Sequence, residues 1–137
     1  NLRGTIYCTE KYGIQPNIKA IIMTASVSAH NGAEFPEYCA SKGGVLAYTK
    51  NVALRVAKYG ATCNSISAGG VITELNAHIL ENKSLWDQVM AETLIPKWAT
   101  VEEMAEWTYF LAVVNKSMTA QDVLIDNGEI AKANFVW

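Results

Sequence analysis

The sequence predicts an α/β fold in which helices cover a parallel sheet. Three short segments suit strands, at 19–26, 61–67 and 122–125, and segments with helical spacing separate them. Continuous apolar runs are typical of strands buried on both faces, and strands alternating with helices favour parallel pairing through right-handed crossovers. Because three strands make a narrow sheet, the sequence indicates the second half of a doubly wound sheet whose first half is absent.

Length and composition indicate a single domain over residues 1–137. Half of the residues are hydrophobic and 18% are charged, which suits a core that buries roughly two-thirds of the unfolded surface. The net charge of −2 and the scattered basic residues provide no nucleic-acid-binding surface. The apolar runs are too short to span a membrane, and the opening residues show no cleavable signal. We therefore expect a cytoplasmic protein without nucleic-acid or membrane partners.

The cysteines indicate reduced thiols. Cys8, Cys39 and Cys63 are odd in number and follow no CxxC spacing, and only two histidines accompany them. This pattern favours neither a zinc site nor a disulfide framework. We expect no metal.

The first elements are a helix and a buried strand. Residues 1–12 carry apolar positions at helical spacing, and Gly13 suits the end of that helix. The apolar run within 19–26 follows as the first strand. The small and mostly polar segment 27–35 indicates a loop.

A long helix and a second strand come next. Apolar residues recur at helical intervals over 37–59, Pro36 suits the first turn, and Gly60 suits the C-terminal cap. The strand at 61–67 then leads into a turn at 68–70.

Two helical segments precede the third strand. Residues 74–95 have a weak helical pattern that Asn82 interrupts. Thr100 and Glu103 have the spacing of a capping box at the start of a helix over 101–114.

Residues 38–44 read YCASKGG and place a tyrosine and a lysine on one helix face. Tyr38 and Lys42 are four positions apart, which makes them neighbours on a helix surface. Gly43 and Gly44 each destabilise a helix interior by about 1 kcal/mol relative to alanine. The glycines therefore need a reason other than helix propensity.

Polar residues collect where the predicted strands end. Ser26 ends the first strand, 68–73 follows the second, and Tyr38 and Lys42 lie near the next helix start. Active sites of open α/β sheets lie beyond the carboxyl ends of the strands. An ammonium beside a phenol favours the phenolate, and a serine can hold a substrate oxygen against it, so the set predicts a proton-transfer site for an alcohol or carbonyl. Alone, a tyrosine–lysine pair at this spacing is also common as a surface contact.

Four ordered motifs resemble the second half of a short-chain dehydrogenase/reductase. They are TASVSA (24–29), YCASKGG (38–44), CNSISAGGVITEL (63–75) and MTAQDVLIDNGE (118–129). They are similar to the family's serine motif, its Tyr-x-x-x-Lys, its strand followed by Pro-Gly-x-x-x-Thr, and its last strand and turn. The opening NLRG resembles the helix that bears the family's catalytic asparagine. The resemblance covers essentially all 137 residues and implies a Rossmann-like doubly wound parallel sheet.

The resemblance implies an oxidoreductase that transfers a hydride between NAD or NADP and a secondary alcohol or ketone. Tyr38 would be the general acid or base, Lys42 would favour its phenolate, and Ser26 would orient the substrate oxygen. Asn1 would belong to a helix bend that holds a proton-relay water. Ser26 and Tyr38 lie one residue closer together than is usual in the family.

The resemblance also implies the cofactor-binding residues. Tyr38 and Lys42 would lie at the nicotinamide ribose, and the backbone of Val71 and the hydroxyl of Thr73 would meet the carboxamide. Small residues over 40–44 would let the helix lie close to the cofactor, the sheet or a neighbouring helix. The family's glycine-rich pyrophosphate turn and the residues that select NAD or NADP are absent from these 137 residues.

Two functional hypotheses remain open. The chain is the catalytic half of such an oxidoreductase, or it is a truncated non-enzymatic α/β fragment that self-associates or pairs with a complementary half. The resemblance implies a homodimer or homotetramer paired through two long helices, with a small-molecule alcohol or ketone as substrate. The apolar tail 133–137 suits burial against another subunit.

Some further residues carry weaker expectations. By resemblance, 74–95 is a mobile lid over the substrate. Three residues there could shape an apolar pocket, although ordinary packing is open for each: Trp86, Met90 and Leu94. Trp98, Trp107 and Tyr109 are expected in the core. His30 is expected to be an exposed loop residue.

Overall fold

The computed structural model describes residues 1–33 and 35–132, so the predicted subunit contact of the tail lies outside the described residues. The first helix, α1 (Leu2–Cys8), continues into a π-helical turn (Thr9–Gly13). Strand β1 (Ala20–Thr24) follows. The predicted helix and strand are both confirmed.

After β1 the chain forms a four-residue helix, α2 (Ser28–Asn31), where the sequence indicated a loop. Gly32 ends α2 with a φ of 70°, in the left-handed region that glycine adopts without strain. So short a helix has no amphipathic pattern to reveal it, and it depends on tertiary contacts for its stability.

The long helix α3 (Pro36–Val56), with a short extension (Ala57–Tyr59), confirms the helix predicted over 37–59. Pro36 occupies its first turn, and Gly60 ends it with a φ of 68°. Strand β2 (Thr62–Ala68) follows, also as predicted.

Residues 74–95 form short helices. A 3-10 turn (Glu74–Asn76) leads into α4 (Ala77–Leu80), and α5 (Lys83–Met90) follows. Asn82 separates α4 from α5, as the sequence predicted, because its side-chain oxygen accepts a hydrogen bond from the backbone N–H of Leu85 at 3.1 Å and caps α5.

Helix α6 (Val101–Tyr109), with a π-helical turn (Phe110–Val114), leads into strand β3 (Asp122–Ile125). The predicted capping box is confirmed. The Thr100 hydroxyl accepts from the Glu103 N–H at 3.2 Å, and the Glu103 carboxylate accepts from the Thr100 N–H at 2.9 Å.

The three strands form one parallel sheet in the order β1-β2-β3. Thr24 pairs with Ile66, and Ala68 pairs with Ile125, so the carboxyl ends of the strands meet at one edge. Helix α3 contacts β1 and β2, and the buried apolar side chains of these elements form the main core. The most deeply buried of them are Val45, Val52, Val56 and Cys63.

The aromatic residues near α6 differ from expectation. Trp98 is buried, as predicted, but the prediction of a core position is wrong for Trp107 and Tyr109, which are 43% and 61% exposed. Helix α6 has no buried residue in the described structure, whereas Leu111 in the following turn is fully buried. Helical spacing alone does not reveal which turn meets the sheet. None of the described helices is long and apolar enough to cross a membrane.

Candidate active site

A cavity of about 500 Å³ opens where β1 and β2 end. Every predicted site residue except Asn1 contributes to its wall, namely Ser26, Tyr38, Lys42, Val71 and Thr73. The residues come from three separate parts of the chain, and the parallel sheet brings them to one edge.

Backbone hydrogen bonds beyond the end of β1 hold Ser26. The Ala25 N–H donates to the Ile66 carbonyl at 2.8 Å, and the Val27 N–H donates to the Ala68 carbonyl at 3.1 Å. Ser26 lies between these two bonds, so the backbone pairing of β1 with β2 continues past this residue and fixes its position. Only 6% of Ser26 is exposed.

The first residue of α2 completes the surroundings of the Ser26 hydroxyl. The Ser26 Oγ accepts from the Ser28 N–H at 3.2 Å and donates to the Ser28 Oγ at 3.1 Å. The hydroxyl is therefore directed by the start of α2. Ser28 also lines the cavity, and so does Asn31 at the other end of α2. Neither residue was predicted as part of the site, because segment 27–35 indicated a loop.

Tyr38 and Lys42 lie on one face of α3, as their spacing predicted. The Lys42 Nζ is 5.5 Å from the centroid of the Tyr38 ring, within range of a cation–π contact. The same Nζ donates to the Thr24 carbonyl at 2.8 Å, at the end of β1. Lys42 is only 9% exposed, and this burial lowers the pKa of its ammonium.

The Lys42 ammonium has unused donors. One of its three N–H groups binds the Thr24 carbonyl, and the others meet no acceptor among the described residues. A buried ammonium is costly unless it is hydrogen-bonded. The amine is thus well suited to oxygen atoms of a molecule in the cavity.

The segment after β2 forms the second side of the cavity. Val71 makes a parallel bridge with Ala99, and the Val71 carbonyl accepts from the Asn76 side-chain N–H at 2.9 Å. The hydroxyl of Thr73 makes no hydrogen bond to any described residue, and Thr73 is exposed. That hydroxyl is free to bind a ligand.

Three glycines near the site permit close packing. A Cβ on Gly70 would lie 2.0 Å from the Trp98 Nε1, and one on Gly44 would lie 2.7 Å from a methyl of Leu2 in α1. A Cβ on Gly69 would meet the turn after β3 at 2.8–2.9 Å. Gly44 thus allows α1 to approach α3, in agreement with the prediction that small residues over 40–44 permit a neighbouring helix to lie close. A Cβ on Gly43 would meet nothing within 4 Å.

The lid segment contributes different residues from those expected. Trp86, Met90 and Leu94 are not among the cavity residues. Trp86 packs against Trp98, with the ring centroids 5.3 Å apart and the rings nearly perpendicular. Leu94 packs against Gly128. The residues of this segment that do line the cavity are Asn76, Ile79, Val89, Glu92 and Thr93. Asn82 has extended backbone dihedral angles between α4 and α5, so a single helical pattern over 74–95 could not identify the inward face.

Asn1 lies outside the cavity wall. It precedes α1, and its carbonyl accepts from the Thr5 N–H at 3.2 Å. Leu2, the next residue, lies against Gly44 in α3. The predicted role of Asn1 stays a prediction.

The three cysteines are not paired with one another. Cys8, Cys39 and Cys63 are all free thiols. Burial raises the pKa of the Cys63 thiol to about 12. Within residues 1–33 and 35–132, no group of three or more histidine, cysteine or acidic side chains is arranged to hold a metal ion.

Comparison with known proteins identifies the family. The family model described as enoyl-(acyl carrier protein) reductase matches residues 1–129. The chain is 28% identical over 110 residues to the L-rhamnose 1-dehydrogenase (NADP(+)) of Thermoplasma acidophilum, covering 79% of this chain and 43% of that protein. It is 31% identical over 131 residues to the 3-oxoacyl-(acyl-carrier-protein) reductase FabG of Chlamydia pneumoniae, covering 90% and 52%.

A solved structure agrees with these relatives. A short chain dehydrogenase family protein from Francisella tularensis is 27% identical, with a TM-score of 0.82 over 96% of this chain and 59% of that one. The chain spans about half the length of the curated relatives it matches. Because the family model matches residues 1–129 and the fold is shared with a solved member, the chain belongs to the short-chain dehydrogenase/reductase family.

Proposed function

We propose that this chain provides the catalytic residues of an oxidoreductase that transfers a hydride between NAD or NADP and a secondary alcohol or ketone. The observation that carries the proposal is that Ser26, Tyr38 and Lys42 line one cavity, with the Lys42 amine over the Tyr38 ring. The relatives described above are named as dehydrogenases and reductases, and one name specifies NADP(+). These names support the proposal over the alternative of a non-enzymatic fragment.

The cavity residues fit a nicotinamide cofactor. The spare N–H donors of Lys42 suit ribose hydroxyls, and the free hydroxyl of Thr73 suits a carboxamide, together with the backbone of Val71. Gly69 and Gly70 present backbone without side chains at the same wall. The cofactor would supply or accept the hydride, and the protein would supply position and charge.

The proposed proton transfer uses three side chains. Tyr38 gives its phenolic proton to the substrate oxygen when a ketone is reduced, and takes it back when an alcohol is oxidised. Lys42 stabilises the phenolate through the positive charge near the ring. Ser26 donates a hydrogen bond to the same substrate oxygen, for which its proton must turn from Ser28 towards the cavity.

The proposal also covers the compartment, the oligomeric state and the domain organisation of the protein. We propose a cytoplasmic homodimer or homotetramer that acts on a small molecule, with all of residues 1–137 in one domain. The free thiols of the three cysteines support a reducing compartment. The elution volume and light scattering of the purified protein would measure its oligomeric state.

Cofactor binding provides the first test. Trp98 lines the cavity and is 8% exposed, so its emission reports on ligands beside Gly70. We expect saturable quenching when NADH or NADPH is titrated into the protein, and less quenching in Thr73→Val if its hydroxyl binds the carboxamide. A titration with both cofactors that leaves the emission flat would contradict an intact cofactor site in this chain.

Substitution of Tyr38 tests the chemistry. Tyr38→Phe removes the hydroxyl and keeps the ring, so we expect turnover to fall roughly 10²- to 10⁴-fold, the usual contribution of a general acid or base. The melting temperature should change little, and the cofactor should still bind through Lys42, Val71 and Thr73. Tyr59→Phe is the matched control, since Tyr59 lies outside the cavity and its hydroxyl bonds to no described residue. Turnover near the wild-type rate in Tyr38→Phe would exclude Tyr38 as the proton donor.

A further inference from the structure

A histidine outside the predicted site connects α2 with the far strand of the sheet. The Nε2 of His30 lies 2.8 Å from the Oδ2 of Asp122, at the start of β3, and 3.3 Å from the hydroxyl of Ser67 in β2. The other carboxylate oxygen of Asp122 accepts from the hydroxyl of Ser65 at 2.5 Å. One ring nitrogen therefore meets side chains from two strands.

This contact is partly shielded from water. The side chains of His30 and Asp122 are 28% and 18% exposed, and Ser65 and Ser67 are buried. Hydrogen bonds are electrostatically stronger where water is partly excluded than at a fully exposed surface. Ser65 also donates a hydrogen bond to the carboxylate oxygen that His30 does not contact. The Asp122 carboxylate is thus a well-defined anchor for the histidine. His30 as a whole residue is exposed, as expected, but it lies on α2 rather than in a loop.

The helix that carries His30 also directs Ser26. The Ser28 N–H and hydroxyl bind the Ser26 Oγ, and the Ala29 N–H donates to the Ser26 carbonyl at 3.0 Å. The His30 N–H donates to the Val27 carbonyl at 2.8 Å. A four-residue helix is not stable by its own hydrogen bonds. It is held by its packing against α3 and by the side chain of His30 on the sheet.

We propose that His30 is a positioning residue whose contact with Asp122 holds α2, and through α2 the hydroxyl of Ser26, in the geometry that the substrate oxygen requires. The catalytic consequence rests on the proposed oxidoreductase function. The anchoring of α2 is a property of the chain by itself and is tested without substrate. Loss of the anchor frees the helix to shift by a fraction of a turn while the sheet below it stays intact.

The expected kinetic effect follows from the position of Ser26. Misplacement of a reacting group by about 1 Å can reduce rates about 10²-fold. In His30→Ala we expect kcat to fall roughly 10- to 100-fold, with the KM of the substrate changed less than about threefold. Cofactor affinity should stay unchanged, because the proposed cofactor contacts lie on α3 and on the segment after β2. His30→Gln, whose amide N–H can still reach the Asp122 carboxylate, should recover most of the lost kcat.

The experiment combines hydrogen exchange with kinetics on the same variants. In His30→Ala we expect the backbone amides of 28–32 to exchange about tenfold faster than in the wild type. The exchange rates of the amides in β1 and β2 should not change. His30→Gln should restore protection. His78→Ala is the matched control, since His78 is exposed on α4 and lies outside the cavity, and it should change neither measurement.

The outcomes separate this inference from the proposed function. If the wild type turns over no alcohol or ketone, the proposed function fails, and exchange at 28–32 still decides whether His30 anchors α2. Wild-type exchange and wild-type kcat in His30→Ala would overturn the inference. So would equal losses of kcat in His30→Ala and His30→Gln together with lower melting temperatures for both, since that result indicates general destabilisation.

Discussion

Adding one methyl group at Gly70 should push a tryptophan out of the wall of the cavity. In Gly70→Ala the new Cβ would lie 2.0 Å from the Nε1 of Trp98 and 2.2 Å from two ring carbons. Ordinary contacts begin at 3.4 Å, so the rigid indole must withdraw by more than about 1 Å. Because Trp98 is 8% exposed and packs edge-on against Trp86, it has little free space to enter.

The magnitude follows from packing energetics. Overpacking a core typically costs about 1–3 kcal/mol, and a lost aromatic edge contact adds about 0.5–1.5 kcal/mol. We therefore expect Gly70→Ala to lower the unfolding free energy by about 2–4 kcal/mol. For a domain of this size, the melting temperature should fall by roughly 5–15 °C.

Scanning calorimetry measures this loss, and tryptophan emission reports the movement of Trp98. Gly43→Ala is the control, because its Cβ would meet nothing within 4 Å in the interior of α3. Alanine there should raise stability by about 0.5–1 kcal/mol. If Gly70→Ala melts at the wild-type temperature with an unchanged emission spectrum, the reasoning from the Trp98 contact is refuted.

Two further predictions concern stability away from the cavity. Hydrogen bonds from Arg55 and Tyr48 lower the pKa of Glu10 from 4.5 to about 2, so its contribution to stability is present above pH 4.5 and is lost as the pH falls towards 2. Glu10→Gln should therefore melt below the wild type at pH 7, and the difference should shrink as the pH falls from 4.5 through 2; a constant difference across this range would contradict the assignment. Thr100→Ala removes the hydroxyl that caps α6 and should cost about 1 kcal/mol in urea unfolding, whereas Thr100→Ser should keep most of it.

Much of the secondary structure could be predicted because its signals are local. The capping box of Thr100 and Glu103 and the interruption at Asn82 lie within a few residues of the features they control. The apolar run of 122–125 is itself β3. Helix α2 had no such signal, because tertiary contacts support its four residues.

The site was predictable in part. Tyr38 and Lys42 meet because one helical turn separates them, so their neighbourhood needs no knowledge of the fold. Ser26, Val71 and Thr73 share their cavity because parallel strands end at one edge, which the predicted alternation of elements already indicated. The lid was predicted less well, since the helical pattern does not continue through the extended backbone of Asn82.

The sequence alone was enough to predict most of the elements, the parallel strands and the tyrosine–lysine pair, since each depends on the chemistry of neighbouring residues; helix α2 was the exception. Only the tertiary structure decided the contacts between distant segments: His30 with Asp122, and Gly70 with Trp98. The physical reason is that such contacts depend on how whole elements pack. His30 and Asp122 are 92 positions apart, so no local sequence pattern relates them, and only the folded sheet brings them into contact.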